Sequence, residues 1–316
     1  TGNIHLDILL GGGFPSGRIV EVRGDEQVGK TTLALQTIAE CQQVGGFGVF
    51  IDSEFGTDID RMKAMGVSPE RLIIPPTRMT ENKVEKPGRK KKFEMHLEDI
   101  VEWLTSLIET GLALDPDFRL VVVIDTISAI STREESVDLT EASPAVSSVA
   151  RWMAYWFRDR LLQLIAGRKI IIIFLNQMRD IIRKFGHGPT QSSPGGRALK
   201  QYASIRLLLE HMEDDKETND LGFNVIRKRL VRATIQKHKL RRRYKVDTPL
   251  TLDLENGFHS VGSAVEYAVE KKILTLTGSR YEWNGKQYYR NDLIEFLSSD
   301  PDQFVTLLEY IEKSLA

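Results

Sequence analysis

One short run confines this chain to few folds. Residues Gly24, Asp25, Glu26, Gln27, Val28, Gly29, Lys30, Thr31 and Thr32 satisfy the pattern GxxxxGK[ST]. Average residue usage would produce that pattern in roughly one chain in a hundred of this length. Its context makes chance rarer still. The apolar run Arg18–Arg23 reads as a strand before it, and helical periodicity follows from Lys30 to about Gln43. Each residue type has a chemical reason. Glycines let the backbone curl so that its N–H groups face a phosphate chain, and the helix N-terminus adds positive dipole. A lysine at Lys30 reaches β- and γ-phosphates, and the Thr31 hydroxyl ligates Mg²⁺.

Composition excludes several classes. The chain has 316 residues, with 41% hydrophobic and 28% charged, ordinary for a globular protein and enough for a large core plus a smaller domain. There is no apolar run long enough to span a membrane. The first residues carry no basic stretch ahead of an apolar one, so a signal peptide is not expected. Cys41 is the single cysteine, which excludes an intrachain disulfide or a cysteine-rich metal site and suits a reducing cytosol. The net charge of −1 hides segregation. Glu210–Asp220 is acidic, whereas Arg227–Lys245 holds ten Lys or Arg and no Asp or Glu.

Strand and helix patterns alternate up to about Arg206. Strands are expected at Phe47–Asp52, Leu120–Asp125 and Lys169–Leu175, with helices at Ile59–Met65, Phe93–Gly111 and Val146–Ala166. This alternation predicts an α/β fold with a doubly wound, largely parallel sheet, whose ligand chemistry gathers at the carboxyl ends of the strands. Asn82–Lys92 reads as a solvated basic loop, with DNA contact the minority reading. Residues 1–257 are expected to form the nucleotide-binding core. A small α+β unit over 258–316 follows, with helix Val261–Lys271, a hairpin turning at Asn284-Gly285 and two amphipathic helices.

Three strand ends carry further polar residues. Asp125 closes the run LVVVID and is positioned to hold Mg²⁺. Glu54, just past FIDS, is either a base that activates water or a capping or salt-bridged glutamate. Gln177, in FLNQMR, either senses a γ-phosphate or is a strand-end amide satisfied by backbone.

Taken together, TGNIHLDILLGGGFPSGRIVEVRG, GDEQVGKTT, FIDSE, LVVVIDTISAI, FLNQMR, PGGRALKQYASIRL and QKHK fall in the order and near the spacing of RecA-type strand-exchange recombinases. The chain resembles that family across essentially its full length. Bacterial members are the closest comparison, and IDSEFG resembles phage recombinases. The resemblance implies a RecA-like P-loop NTPase core with a small C-terminal α+β domain. It also places Thr1 where the family's ATPase core begins, after the N-terminal oligomerisation segment.

It further implies roles. Lys30, Thr31 and Asp125 match nucleotide and Mg²⁺ residues, Glu54 the catalytic glutamate, and Gln177 the glutamine that couples γ-phosphate to DNA. Lys237 and Lys239 match two lysines that reach the ATP of a neighbouring protomer; without the resemblance they read as a solvated basic strand. Asp58 matches a residue near the adenine. Arg61 stands where an aromatic often stacks on the base, and its guanidinium could stack instead. Two DNA-binding loops are implied, about 131–145 and 178–196. Val146 and Ile182 match side chains that wedge between bases. Arg151, Arg158, Arg179, Gly195, Gly196 and Arg197 fall where the family contacts DNA phosphates. The plain alternatives are a core Val146 and an Arg151 paired with Glu135 or Asp138.

The implied activity is DNA-dependent ATP hydrolysis with Mg²⁺, coupled to strand exchange. The implied partners are single-stranded DNA, homologous double-stranded DNA and further copies in a helical filament, with no membrane. The implied location is cytoplasmic and nucleoid-associated, or the host cytoplasm if phage-encoded. Two other readings share the core. QKHK and the C-terminal unit argue against a hexameric DNA motor or helicase, and the presence of Lys30 and Glu54 argues against a non-catalytic regulator.

Overall fold

The computed structural model describes residues 1–54, 56, 58–76, 78–84, 90–134, 146–177, 179–180, 191–192, 196–218, 224–241 and 246–315. In chain order the first half holds α1 (Ile4–Leu10), β1 (Arg18–Gly24), α2 (Lys30–Gln43), β2 (Phe47–Asp52), α3 (Ile59–Ala64), β3 (Leu72–Ile73), β4 (Arg78–Val84), β5 (Lys90–Glu94), α4 (Leu97–Leu114) and β6 (Leu120–Asp125). Then come α5 (Val146–Trp156), α6 (Leu162–Ile165), β7 (Ile170–Gln177), β8 (Arg179–Asp180), β9 (Gln191–Ser192), α7 (Gly196–Tyr202), β10 (Ile205–Thr218), β11 (Asn224–His238), β12 (Asp247–Asp253) and β13 (Gly257–His259). The last elements are α8 (Ser260–Glu270), β14 (Thr275–Thr277), β15 (Arg280–Trp283), β16 (Lys286–Tyr288), α9 (Arg290–Ser299) and α10 (Pro301–Ser314).

Among the described residues, nine strands form one sheet in the order β13-β12-β11-β10-β1-β7-β6-β2-β3. From β10 to β3 every pairing is parallel, and from β10 to β13 every pairing is antiparallel. The two faces of the central strands go to different cores, as period-two alternation requires. Val20 and Val22 of β1 pack with Leu33, Leu35 and Ile38 of α2, whereas Ile19 packs with the side carrying Leu104, Trp156, Phe157 and Leu199. This is the expected doubly wound α/β arrangement, extended by an antiparallel flank.

Several boundaries differ from expectation for local reasons. The described residues of Asn82–Lys92 belong to strands rather than a solvated loop: β4 and β5 pair antiparallel, with Met79 opposite Phe93 and Arg78 opposite Glu94. The β-formers Thr80, Val84 and Phe93 flank a Pro87-Gly88 turn signal, which the charge of the segment obscures. The following helix begins at Leu97, not Phe93, because the Asp99 carboxylate accepts from the His96 N–H at 3.0 Å and fixes its start. A π-helical turn at Phe157–Leu161 interrupts the helix expected over Val146–Ala166.

The C-terminal hairpin is a three-stranded antiparallel sheet, β14-β15-β16. Asn284 and Gly285 both take positive φ at its second turn, at 49° and 74°, as an Asn-Gly hairpin turn demands. Phe258, expected to open the C-terminal unit, is instead 4% exposed in the larger core, and its strand β13 extends the main sheet. A third core joins α8, α9 and α10 through Val265, Leu293, Leu297, Leu307 and Ile311. The first helix serves both units. Leu6 and Leu10 enter the large core and Leu9 enters the C-terminal one.

One buried ion pair lies inside the main sheet. Arg206 Nε of β10 donates to Glu21 Oε2 of β1, and Asn176 Nδ2 of β7 donates to Glu21 Oε1 at 2.8 Å. Removing one member of such a pair strands the other charge. Arg206→Met should therefore cost about 3–5 kcal/mol in urea unfolding, and the double change Glu21→Gln with Arg206→Met should cost less than Arg206→Met alone.

Candidate nucleotide and DNA sites

Sheet register builds the site. Gly24, at the end of β1, is the register partner of Gln177 at the end of β7, and Asp52 at the end of β2 is the partner of Asp125 at the end of β6. Three polar strand ends and Gly24 thus stand side by side at one edge.

The loop between β1 and α2 closes over this edge. Gly29 caps α2 with φ 87° and no side-chain hydrogen bond, so side chains leave the first-turn N–H groups of the helix to a ligand. A Cβ at Gly29 would lie 2.8 Å from the Phe258 ring, so only glycine fits without moving the core. Val28 is buried beneath the loop, whereas Asp25, Glu26 and Gln27 are exposed. Lys30 Nζ donates to the Gly24 and Asp25 carbonyls at 3.0 and 2.5 Å. Burial pushes its ammonium below the ordinary lysine range, although Asp125 and Glu54 pull the other way.

Thr31 Oγ1 donates to Asp125 Oδ2 at 2.7 Å. Burial holds the Asp125 carboxyl above the usual carboxylate range despite that bond, and neighbouring Asp52 adds to the rise. A hydroxyl beside a carboxylate suits Mg²⁺, which takes one or two protein oxygens and completes its shell with phosphate and water. Among the described residues no three His, Cys, Asp or Glu could form a closed metal cage. The donor set therefore fits a metal that arrives with a phosphate.

Glu54 lies just past β2. Its N–H donates to Asp52 Oδ1 at 3.0 Å, and its Oε1 accepts from Gln177 Nε2 at 3.1 Å. Burial, then the charge of Asp125, raises its carboxyl above the usual range. The two side chains are thus bonded directly to each other, a pairing that neither sequence pattern indicated. Lys30, Thr31, Thr32, Asp52, Glu54 and Asp125 line one cleft of about 410 Å³. Arg61 lines it too, with Nη2 3.5 Å from Thr32 Oγ1. Asp58 caps α3, accepting from the Asp60 N–H at 3.1 Å.

Arg229 of β11, Leu252 near the end of β12 and Leu254 just past it also line the cleft, and the sequence singles out none of them. Leu252 and Leu254 supply apolar wall, and Arg229 supplies a guanidinium. The segregation of acidic and basic residues was the available signal. Glu210, Asp214 and Asp215 of β10 stand opposite Arg232, Arg229 and Lys228 of β11.

The described residues among those expected to meet DNA belong to α5, the π-helical turn, β8 and α7. Of the first loop, residues 135–145 lie outside the described residues, including the suggested partners Glu135 and Asp138. Val146 opens α5. Arg151 pairs with Glu134 at 3.2 Å and Arg158 with Asp159 at 2.7 Å; Asp159 is half-buried and the other three are exposed. Of the second loop, Arg179 begins β8, while Ile182 and Gly195 lie outside the described residues. Gly196 and Arg197 open α7. At the far end of that helix Lys237 Nζ donates to the Lys200 and Gln201 carbonyls at 2.6 and 3.0 Å, and Lys239 Nζ approaches the Tyr202 carbonyl at 3.4 Å.

Comparison with known proteins identifies the family. The family model described as the RecA N-terminal domain matches residues 1–90 and 95–247. A Protein RecA from Wolinella succinogenes is 32% identical over 288 residues, covering 91% of this chain and 73% of its own length. Another, from Heliobacterium modesticaldum, is 33% identical over 304 residues, covering 95% and 79%. DNA repair protein recA homolog 3, mitochondrial, from Arabidopsis thaliana is 30% identical over 323 residues, covering all of this chain and 67% of its own length. The crystal structure of the RadB recombinase aligns with TM-score 0.52 at 22% identity, covering 80% of this chain and 95% of that one, which supports the fold.

The Thr31–Asp125 pair generates a test. Thr31→Val keeps shape but removes the donor, so Mg²⁺-dependent nucleotide binding should weaken roughly tenfold. Binding of ADP without Mg²⁺ should change little, as titration calorimetry with and without the metal would read.

Proposed function

Because this chain belongs to the RecA family of recombinases, we propose that it is an ATP-dependent homologous recombinase that assembles on single-stranded DNA, pairs it with homologous duplex and exchanges strands. The observation that carries the reading is the Gln177–Glu54 hydrogen bond, which joins a candidate water-activating carboxylate to the residue that leads into the second DNA loop.

The chain's own groups divide the work. The loop N–H groups and the Lys30 ammonium receive phosphate oxygens, and Thr31 and Asp125 hold Mg²⁺. When bound, Mg²⁺ supplies charge neutralisation at the phosphates. Glu54 orients the attacking water and accepts its proton, a task favoured by a carboxyl raised above its usual range. Gln177 can donate either to Glu54 or to a γ-phosphate, and because it ends β7 its choice acts directly on the segment that follows it in the chain. Arg61 with Leu252 and Leu254 forms the side of the cleft suited to a base. Arg151, Arg158, Arg179 and Arg197, with the backbone of Gly195 and Gly196, contact DNA phosphates, and Val146 and Ile182 separate bases. The exposed ion pairs of Arg151 and Arg158 are worth little and exchange readily for phosphate.

Lys237 and Lys239 act on the nucleotide of a neighbouring protomer. They are not among the residues lining the cleft of their own chain. Burial first, then Lys239 and Arg206, pushes the Lys237 ammonium down to about 8. A cation with that value loses its proton as pH rises through about 8, so DNA-stimulated hydrolysis should fall across that window. Lys237→Arg, which keeps its charge, should remove that alkaline limb. An identical limb in the variant would assign the titration elsewhere.

The reading as a whole is tested by steady-state ATP hydrolysis with and without single-stranded DNA. Stimulation that fades with added salt is expected. Glu54→Gln should retain nucleotide and DNA binding yet lose at least about a hundredfold in turnover. Unchanged turnover in that variant would show that another group activates the water.

A further inference from the structure

A phosphate-binding loop must turn its N–H groups inward, which turns its carbonyls outward. Lys30 takes the Gly24 and Asp25 carbonyls. The Gln27 carbonyl is taken from outside the loop. Arg229 Nη1 of β11 donates to it at 2.6 Å, across 202 positions of sequence. Gln27 has φ 60°, a left-handed conformation that a residue with a Cβ rarely holds unless its surroundings enforce it.

The guanidinium is itself fixed. It is 9% exposed, and its Nε and Nη2 reach Asp214 Oδ1 and Oδ2 at 2.6 and 3.5 Å. Asp214 is the cross-strand partner of Arg229, and it also meets His211 Nε2 at 2.9 Å. Arg229 and then His211 hold the Asp214 carboxyl below its ordinary range, so it stays charged as the orienting group. The planar fork of arginine suits this double duty, and a lysine could serve only part of it.

From this geometry the structure assigns Arg229, oriented by Asp214, as a positioning residue for nucleotide. It holds the loop in its phosphate-receiving shape through the Gln27 carbonyl. A Lys30 that leaves its two carbonyls for a phosphate removes the loop's internal tie, and Arg229 keeps the external one. The assignment rests on the nucleotide reading of the loop proposed above. It adds that affinity is set partly by the β10–β11 hairpin, an element outside the phosphate-binding motif.

Titration of the full chain with MgATP in the absence of DNA tests it. Arg229→Gln should weaken binding at least about tenfold, Arg229→Lys by an intermediate factor, and Asp214→Asn by about threefold. Because Arg229 touches no reacting atom, KM for ATP should rise while kcat at saturating ATP changes by less than about threefold. A purely structural role would lower the thermal midpoint without changing the affinity of the folded molecules. That result, or wild-type affinity in both Arg229→Gln and Asp214→Asn, overturns the assignment. Should Arg229→Gln not fold, Asp214→Asn decides alone. Lys30→Ala separates the two levels: if it binds MgATP normally, the nucleotide reading of the loop fails. If only Lys30→Ala loses binding, that reading stands and the Arg229 assignment falls.

Discussion

The register between β1, β7, β6 and β2 is the constraint from which the rest of the site follows. Parallel pairing sets Gly24 beside Gln177 and Asp52 beside Asp125. A slip of one residue in any of these strands would reverse its faces and send the strand-end polar group to the wrong side. Burial on both faces forbids that slip. Val20, Val22, Val123 and Ile173 are committed to one core, and Ile19, Ile124, Ile172 and Phe174 to the other. Packing energy far from the cleft therefore fixes which side chains share it.

Having been placed together, those side chains hold one another's charge in tension. The Lys30 ammonium is pushed down by burial, and the Asp125 and Glu54 carboxyls are pushed up by it. Each shift means that the charged form lacks solvation the protein only partly replaces. A phosphate and a divalent cation bring the opposite charges to these same groups. These shifts support the proposed reading in which a nucleotide and its metal enter the site together.

Legibility followed the range of the interactions. The Lys30–Gln43 helix and the strands Phe47–Asp52 and Leu120–Asp125 have the bounds the pattern implied, because a buried apolar run ended by a polar residue is a local signal. Thr31 and Asp125, each read from its own motif as a Mg²⁺ residue, are hydrogen-bonded to each other. Glu54 was ambiguous between base and cap, and Gln177 between sensor and strand-end amide, because their mutual bond spans 123 positions. The β4–β5 pair was missed because its lysines and arginine outweighed the β-formers around them. Arg229 was hidden for another reason. One arginine among ten basic residues cannot be singled out until cross-strand register shows which of them faces Asp214.

β10 is where these separate accounts meet. It pairs parallel with β1 on one side and antiparallel with β11 on the other, so the sheet changes direction along it. At its buried start Arg206 satisfies Glu21 and stands opposite Lys237. Further along, Asp214 stands opposite Arg229. A purely apolar seam could slide by two residues and still bury its faces. The Glu21 carboxylate, 1% exposed, cannot slide without being stranded from Arg206. That pair fixes β10 against β1. The β10–β11 ladder, with its register shifts between Arg206 and Leu207 and between His211 and Glu213, then brings Lys237 to the end of α7 and Arg229 to the Gln27 carbonyl.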